Sequence, residues 1–170
     1  MKIKFKIKNI IYIFLAVSLT TFMYYTIAVY EKNRIESEHK NANPSSYNQK
    51  EILVYKEPTC QCCGGWIAYL KQNGYKVKVE TTTNIEQLKD RFNIPQNLRS
   101  CHTAVIANYI VEGHIPVPAI EKLLKEKPNV LGISLPGMPA GSPGMGGFKQ
   151  EPFKIFSFTQ DKTIEQFIEL

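Results

Sequence analysis

The longest uninterrupted apolar stretch lies near the start of the chain, where IIYIFLAVSLTTFMYYTIAVY, residues 10–30, runs 21 positions without a charge. At about 1.5 Å per helical residue it matches the roughly 30 Å hydrocarbon thickness of a bilayer. Nothing in it alternates in polarity as one face of a buried helix would. The pattern predicts a transmembrane helix. Lys2, Lys4, Lys6 and Lys8 precede it, whereas Glu31, Lys32, Arg34, Glu36 and Glu38 mix signs after it. That bias makes residues 1–9 a basic cytoplasmic N-terminus and puts the rest outside. Thr26-Ile27-Ala28 offers a small-residue cleavage site, but the apolar run is longer than a usual signal core, and Phe22, Met23, Tyr24 and Tyr25 crowd the approach. A retained anchor is therefore favoured over a removed signal. Residues 31–50, EKNRIESEHKNANPSSYNQK, have little to bury and read as a flexible linker, with His39 solvated rather than a ligand.

From residue 51 the patterns shorten. EILVYK (51–56) is rich in strand formers and stops before Pro58. GGWIAYLKQN (64–73) puts Trp66, Ile67 and Leu70 on one helical stripe and ends at Gly74, a residue suited to the left-handed position after a helix. YKVKVE (75–80) alternates like a strand. Asn84 then stands where it could cap a helix striped by Ile85, Leu88 and Phe92, with Glu86 and Gln87 in its first turn. Residues 103–107 and 109–112 flank Asn108 as a hairpin, and Pro118 opens a helix carrying Ile120, Leu123 and Leu124 that ends near Pro128. Strand, helix, strand, helix, hairpin, helix is the order of a thioredoxin domain, its first two strands parallel and joined by a right-handed crossover. Beyond it comes a Gly/Pro/Met loop flanked by possible strands at 131–135 and 153–158. The fold expected is α/β: a thioredoxin-like domain over residues 51–170 with a C-terminal Gly/Pro/Met loop extension, preceded by one N-terminal transmembrane helix.

Charge changes the picture by subtraction. The net +6 suggests a polyanion partner until it is divided by region: residues 51–170 hold 13 Lys plus Arg against 12 Asp plus Glu, a net of +1. Nucleic-acid binding needs a clustered basic face, and none is present, so nucleic acid is excluded as a partner. With 44% hydrophobic residues, 9 Phe and 9 Tyr, a core forms without disulfide staples, which frees the four cysteines to be a site.

Three of those four fall in EPTCQCCGGW (57–66), at the strand-to-helix junction. Cys60 and Cys63 have C-x-x-C spacing, and a helix mouth lends such thiols thiolate character. Cys62 is surplus to a dithiol switch. Three thiolates within one turn repel one another, and a soft cation would neutralise them. Cys101, in Ser100-Cys101-His102-Thr103, heads the hairpin on the loop that a thioredoxin order lays against the C-x-x-C turn, so all four sulfurs can converge. In an extended strand His102 would diverge from Cys101 and serve a second ion or orient a ligand. Zinc accepts four thiolates, but adjacent Cys62 and Cys63 are awkward ligands for one ion. Iron–sulfur clusters fit the ligand count, but the spacing matches no ferredoxin run. Bridged copper(I) suits clustered thiolates best, with Met138 and Met145 adding thioethers. Trp66 reads as core shielding the site. The glycines of residues 141–147 lack the strand-then-helix context of a dinucleotide loop.

C-x-C-C followed by Trp66, then C-H-T-A-V, E-G-H-I-P and P-G-M-P-x-G-S-P-G-M, together resemble the CopG-type copper-handling proteins, a bacterial exported family, over residues 51–158. The resemblance implies a thioredoxin-like fold holding a multinuclear copper–sulfur cluster, with a role in copper resistance or in interconverting copper(I) and copper(II). It maps Cys60, Cys62, Cys63, Cys101 and His102 onto family motifs, and His114, Met138 and Met145 onto motifs of less defined role. The long anchor departs from relatives that carry a removable signal. The resulting expectation is a single-pass protein of the bacterial inner membrane whose C-terminal domain faces the periplasm or the cell exterior, with several copper(I) ions as its metal. Copper-exporting or electron-transfer proteins would be its partners, and turnover as a copper oxidoreductase stays open. Two alternatives are a thiol–disulfide oxidoreductase, with Cys60 attacking and Cys63 resolving, and a metallochaperone carrying one copper.

Overall fold

The computed structural model describes residue 12 and residues 17–30 and 50–170. The chain divides into two units, Met1–Ser46 and Tyr47–Leu170. In the first, residues 17–30 are helical, and the hydroxyls of Thr20, Thr21 and Thr26 donate to carbonyls one turn back. The apolar side chains of this helix are exposed all round, Leu19, Phe22, Met23 and Tyr24 among them. Among the described residues no helix is long and apolar enough to cross a membrane. The apolar run of residues 10–30 extends into residues 10, 11 and 13–16, which lie outside the described set. So do residues 1–9, His39 and all of the linker except Lys50.

The second unit is mixed α/β. Its strands are β1 Glu51–Lys56, β2 Lys76–Thr81, β3 His102–Ile106, β4 Tyr109–Glu112, β5 Gly132–Ser134, β6 Lys154–Phe158 and β7 Ile164–Glu169. Its helices are α1 Gln61–Gln72, α2 Ile85–Arg91 and α3 Val117–Glu126, with a short 3₁₀ turn at Gln96–Leu98. All seven strands form one sheet in the order β2-β1-β3-β4-β5-β6-β7. As expected, β1 and β2 are parallel across α1, and β3 and β4 are an antiparallel hairpin.

Alternation along the strands sends side chains to two cores. Val111 packs with Ile52, Val54, Ala104 and Ile106 against Trp66, Ile67 and Leu70 of α1 and Ile120 and Leu123 of α3. Its neighbour Ile110 turns the other way, to Ile94, Leu98 and Phe158. Helix α1 begins three residues before the apolar stripe suggests, so Cys62 and Cys63 belong to its first turn and Cys60 is its N-cap. It ends as expected at Gly74, whose φ is +82°. Asn84 is the N-cap of α2 but makes no side-chain capping bond. The stripe of α2 also differs: Lys89 is fully buried while Leu88 is only partly so.

Strand β7 is the element the pattern does not announce. Both of its faces are partly exposed, so IEQFIE carries no clean alternation, and a register shift at Ile155/Phe156 of β6 breaks it further.

Candidate metal centre

Register decides where the candidate ligands meet. β1 runs antiparallel to β3 with Lys56 opposite His102, so the segment leaving β1 toward Cys60 lies beside the segment entering β3 from Cys101. β3 pairs with β4 with Thr103 opposite Glu112, which sets Gly113 and His114 at the same end. β4 is parallel to β5 with Glu112 beside Ser134, so the loop that leaves β5 also starts there. Four chain segments thus meet at one end of the sheet.

The first turn of α1 supplies one wall. Cys60, Cys62, Cys63 and Cys101 have sulfurs all within 4.8 Å of one another. Cys62 Sγ is 3.6 Å from Cys60 Sγ and 3.8 Å from Cys101 Sγ, and Cys63 Sγ is 3.9 Å from Cys101 Sγ. Such separations are the edges of a tetrahedron around an ion with metal–sulfur bonds of about 2.3 Å. Cys60 and Cys63 are joined as a disulfide, their Cα atoms 5.6 Å apart, leaving Cys62 and Cys101 free. Two of the trio thus pair with each other, one turn of helix setting positions i and i+3 at bonding reach, and four-thiolate ligation requires that bond to be reduced.

The second wall is nitrogen. Cys101, His102 and His114 form another donor set within 4.8 Å, sharing the Cys101 sulfur. His102 Nδ1 is 3.2 Å and His114 Nε2 3.1 Å from that sulfur. Cys101 and His102 do not diverge, because β3 begins at His102 and Cys101 sits in the bend before it, where strand alternation does not apply. Both rings are fully buried, and His102 Nε2 has no hydrogen-bond partner. His102 Nδ1, which faces the shared sulfur, is the nitrogen placed to meet a metal held by it. The Trp66 ring lies 4.4 Å from the His102 ring, centroid to centroid, while its Nε1 donates to the Ile115 carbonyl at 2.9 Å, so Trp66 is core and also a wall of the site.

Burial sets the protonation states. It pushes the Cys101 thiol up to about 12, the neighbouring Cys62 adding to the rise while the Ser100 hydroxyl and Lys89 oppose it. His102 is held well below its ordinary range by burial first, then by His114 and Lys89, with the Gly113 backbone pulling the other way. His114 is lowered by burial against the pull of the Pro143 backbone. The imidazoles are thus neutral, with lone pairs free. The thiolate character expected of a helix mouth does not extend to Cys101, so a metal must displace its proton.

A buried ion pair frames the Cys101-His102 dipeptide, and the sequence reading missed it. Lys89 Nζ donates to the Ser100 carbonyl and, at 2.8 Å, to Glu112 Oε1. Glu112 Oε1 also accepts the Ser100 N–H at 2.6 Å, and Oε2 accepts the Thr103 hydroxyl at 2.6 Å. Both charged side chains have no exposure. Burial pushes the Glu112 carboxyl up, and the three donors oppose that. The available signal was a lysine four residues after Ile85, on the face where α2 should be apolar.

The Gly/Pro/Met loop lies across the mouth of α1. Pro143 carbonyl is 2.7 Å from His114 Nδ1, which fixes that ring with Nε2 toward Cys101. Gly144 packs so closely that a Cβ there would meet the Trp66 nitrogen at 2.2 Å, and one on Gly65 would meet the Gly144 carbonyl at 2.7 Å. Met145 adjoins this contact and is half-buried. Met138 is 40% exposed at a left-handed φ of 48°.

The geometry can be set beside known proteins. A family model described as "Protein of unknown function, DUF411" matches residues 98–145, which span Cys101, His102, His114 and the methionine loop. A solved structure titled "Copper resistance protein copG- Form 2" is 36% identical with a TM-score of 0.66, covering 71% of this chain and 97% of that one. A second, "Copper resistance protein copG- Form 1", is 35% identical with a TM-score of 0.67, covering 72% of this chain and 98% of that one. No curated protein matches. Identity above one third across nearly the whole of those relatives means that this chain belongs to the CopG family.

Proposed function

We propose that the Tyr47–Leu170 unit is a thioredoxin-like domain that holds several copper(I) ions as cargo, for copper resistance or copper redox handling. The observation that carries the reading is the sharing of the Cys101 sulfur between a four-sulfur set and a Cys101-His102-His114 set. A sulfur common to two donor sets is a bridge, and bridging thiolates collect soft monovalent ions into clusters. Both structural relatives are titled copper resistance proteins. The β2-β1-β3-β4 order, with β3 antiparallel to β1, supports the thioredoxin-like assignment. In this reading Cys60, Cys62, Cys63 and Cys101 hold the ions and release their protons as they do so. His102 and His114 donate neutral nitrogens, and Trp66 excludes water. Met138 and Met145 offer thioethers at the entrance.

The uncharged residues 10–30 would anchor the domain in the bacterial inner membrane, because the helix over 17–30 carries no charge and its threonine hydroxyls turn back onto its own carbonyls. The domain would then face the periplasm or the cell exterior, where copper-exporting or electron-transfer proteins are its partners. Elemental analysis of the reduced chain, loaded with copper without oxygen, tests the proposal. Several copper ions per chain are expected. One per chain would point to a metallochaperone, and zinc alone with no copper uptake would overturn the reading.

The Cys60–Cys63 disulfide favours a second reading, thiol–disulfide exchange, in which the Cys60 thiolate attacks a substrate disulfide and Cys63 displaces it. Such an enzyme has no use for the other two sulfurs. Full exchange activity in Cys62→Ser and Cys101→Ser would select it, and loss of function in either would select copper.

A further inference from the structure

We propose that Lys89, locked by Glu112, is a positioning residue of the copper site: the pair fixes the Cys101-His102 dipeptide at both ends. The inference rests on the copper reading above and names a part of the machinery outside the ligand set.

The pair grips the residues on either side of the two ligands. Ser100 has its carbonyl bound by Lys89 and its N–H by Glu112, and Thr103 on the far side has its hydroxyl bound by the same carboxylate. Cys101 and His102 are the two residues between. The anchor continues to the third donor through Gly113, where a Cβ would meet Ser100 Oγ and the Leu135 carbonyl, each at 2.7 Å. Only a glycine lets β4 pass from Glu112 to His114 that close to the cysteine bend. One carboxylate on β4 and one ammonium on α2 therefore hold all three members of the Cys101-His102-His114 set to one frame.

Stability alone does not call for this arrangement, because a buried ion pair replaced by apolar residues of similar volume is often no less stable. The site does call for it. A bend held on both sides keeps the Cys101 sulfur and the His102 imidazole in place as metal enters and leaves. The remaining neighbour of Lys89 is Glu86, 4.0 Å away with an exposed side chain, so the ammonium is directed inward.

The test uses the full chain, reduced and loaded with copper(I) without oxygen, then titrated with the chromophoric copper(I) chelator bathocuproine disulfonate. The double variant Lys89→Met/Glu112→Gln removes both charges together and keeps the side chains' lengths. It should take up the wild-type amount of copper and melt within a few degrees of wild type, yet surrender copper at about 10–100-fold lower chelator concentration. Lys122→Met, which breaks the pair with Glu126 and a cation–π contact with Phe167, both away from the site, should behave as wild type. Thr103→Val, which removes a single strut and nearly preserves volume, should move in the same direction by a smaller factor, and it decides the matter if the double variant does not fold. Wild-type copper retention in the double variant, or in Thr103→Val where that variant decides, overturns the proposal. A wild-type chain that takes up no copper removes the copper reading, and the inference with it.

Discussion

The two walls of the site are built on different terms. Cys60, Cys62 and Cys63 stand at the first turn of a helix whose N-cap, Cys60, makes no side-chain capping hydrogen bond, and two of them close on each other. His102 and His114 are fully buried, one against Trp66, the other tied to the Pro143 carbonyl, with the Cys101-His102 dipeptide framed by a buried ion pair. The sulfur wall changes state with redox conditions, and the nitrogen wall has no comparable change open to it. A fixed half lets the site keep its shape while the other half gains or loses two ligands.

Cys101 belongs to both walls, so its loss gives the largest effect that this contrast predicts. Cys101→Ser should abolish cluster formation, whereas Cys62→Ser, which touches the sulfur wall only, should leave a smaller copper complement on the chain. Elemental analysis of both variants reads the difference. Equal copper on the two would erase the distinction between walls. The next effect needs no mutation: with the Cys60–Cys63 bond closed, the two donor sets shrink from six sulfur and nitrogen donors to four. Oxidised chain should bind fewer copper ions than reduced chain. Those it keeps should depend on the histidines, which His114→Ala in the oxidised state would expose as a further loss.

Much of the sulfur wall was legible in the sequence, and much of the nitrogen wall was not. Cysteine spacing is local, and the β1, α1, β2 pattern around residues 57–66 locates it without any tertiary contact. That Cys101 would join followed from the order of elements. The role of His114 depends on the β3–β4 register and on a loop carbonyl 29 residues away, neither of which a pattern encodes. Lys89 was hidden for a related reason. Hydrophobic periodicity sorts residues by side-chain polarity, and a lysine whose charge is met inside the fold violates the rule that sorting relies on. The methionines were singled out as thioethers, and the structure puts one beside the helix mouth and the other on an exposed turn.

Glu112→Ala should cost about 3–5 kcal/mol in urea unfolding of the metal-free chain, because it leaves the Lys89 ammonium buried with its charge partner gone. The sharper expectation concerns where the damage falls. The Cys101-His102 bend should loosen while the Cys60–Cys63 disulfide still forms, since the hydrogen bonds of the ion pair run to Ser100 and Thr103 and not to α1. Loss of the disulfide along with the bend would mean that the two walls are one unit.

The smallest expected effect comes from pH, and it too separates the walls. Folding lowers the proton affinity of His102, chiefly by burying it, so below the ordinary value of 6.5 the unfolded chain binds a proton that the folded chain refuses. Stability must then rise with pH across that window, present in full above 6.5 and lost progressively as pH falls beneath it. His114 shifts in the same direction and adds to the slope. Urea midpoints of the metal-free chain between pH 7 and 5.5 should therefore fall on acidification, and His102→Gln should flatten the fall. Bound copper should delay it, since a nitrogen already holding a metal has no lone pair to offer a proton. A midpoint that ignores pH in this window, or a His102→Gln variant as steep as wild type, would show that the nitrogen wall is more open to water than its burial indicates.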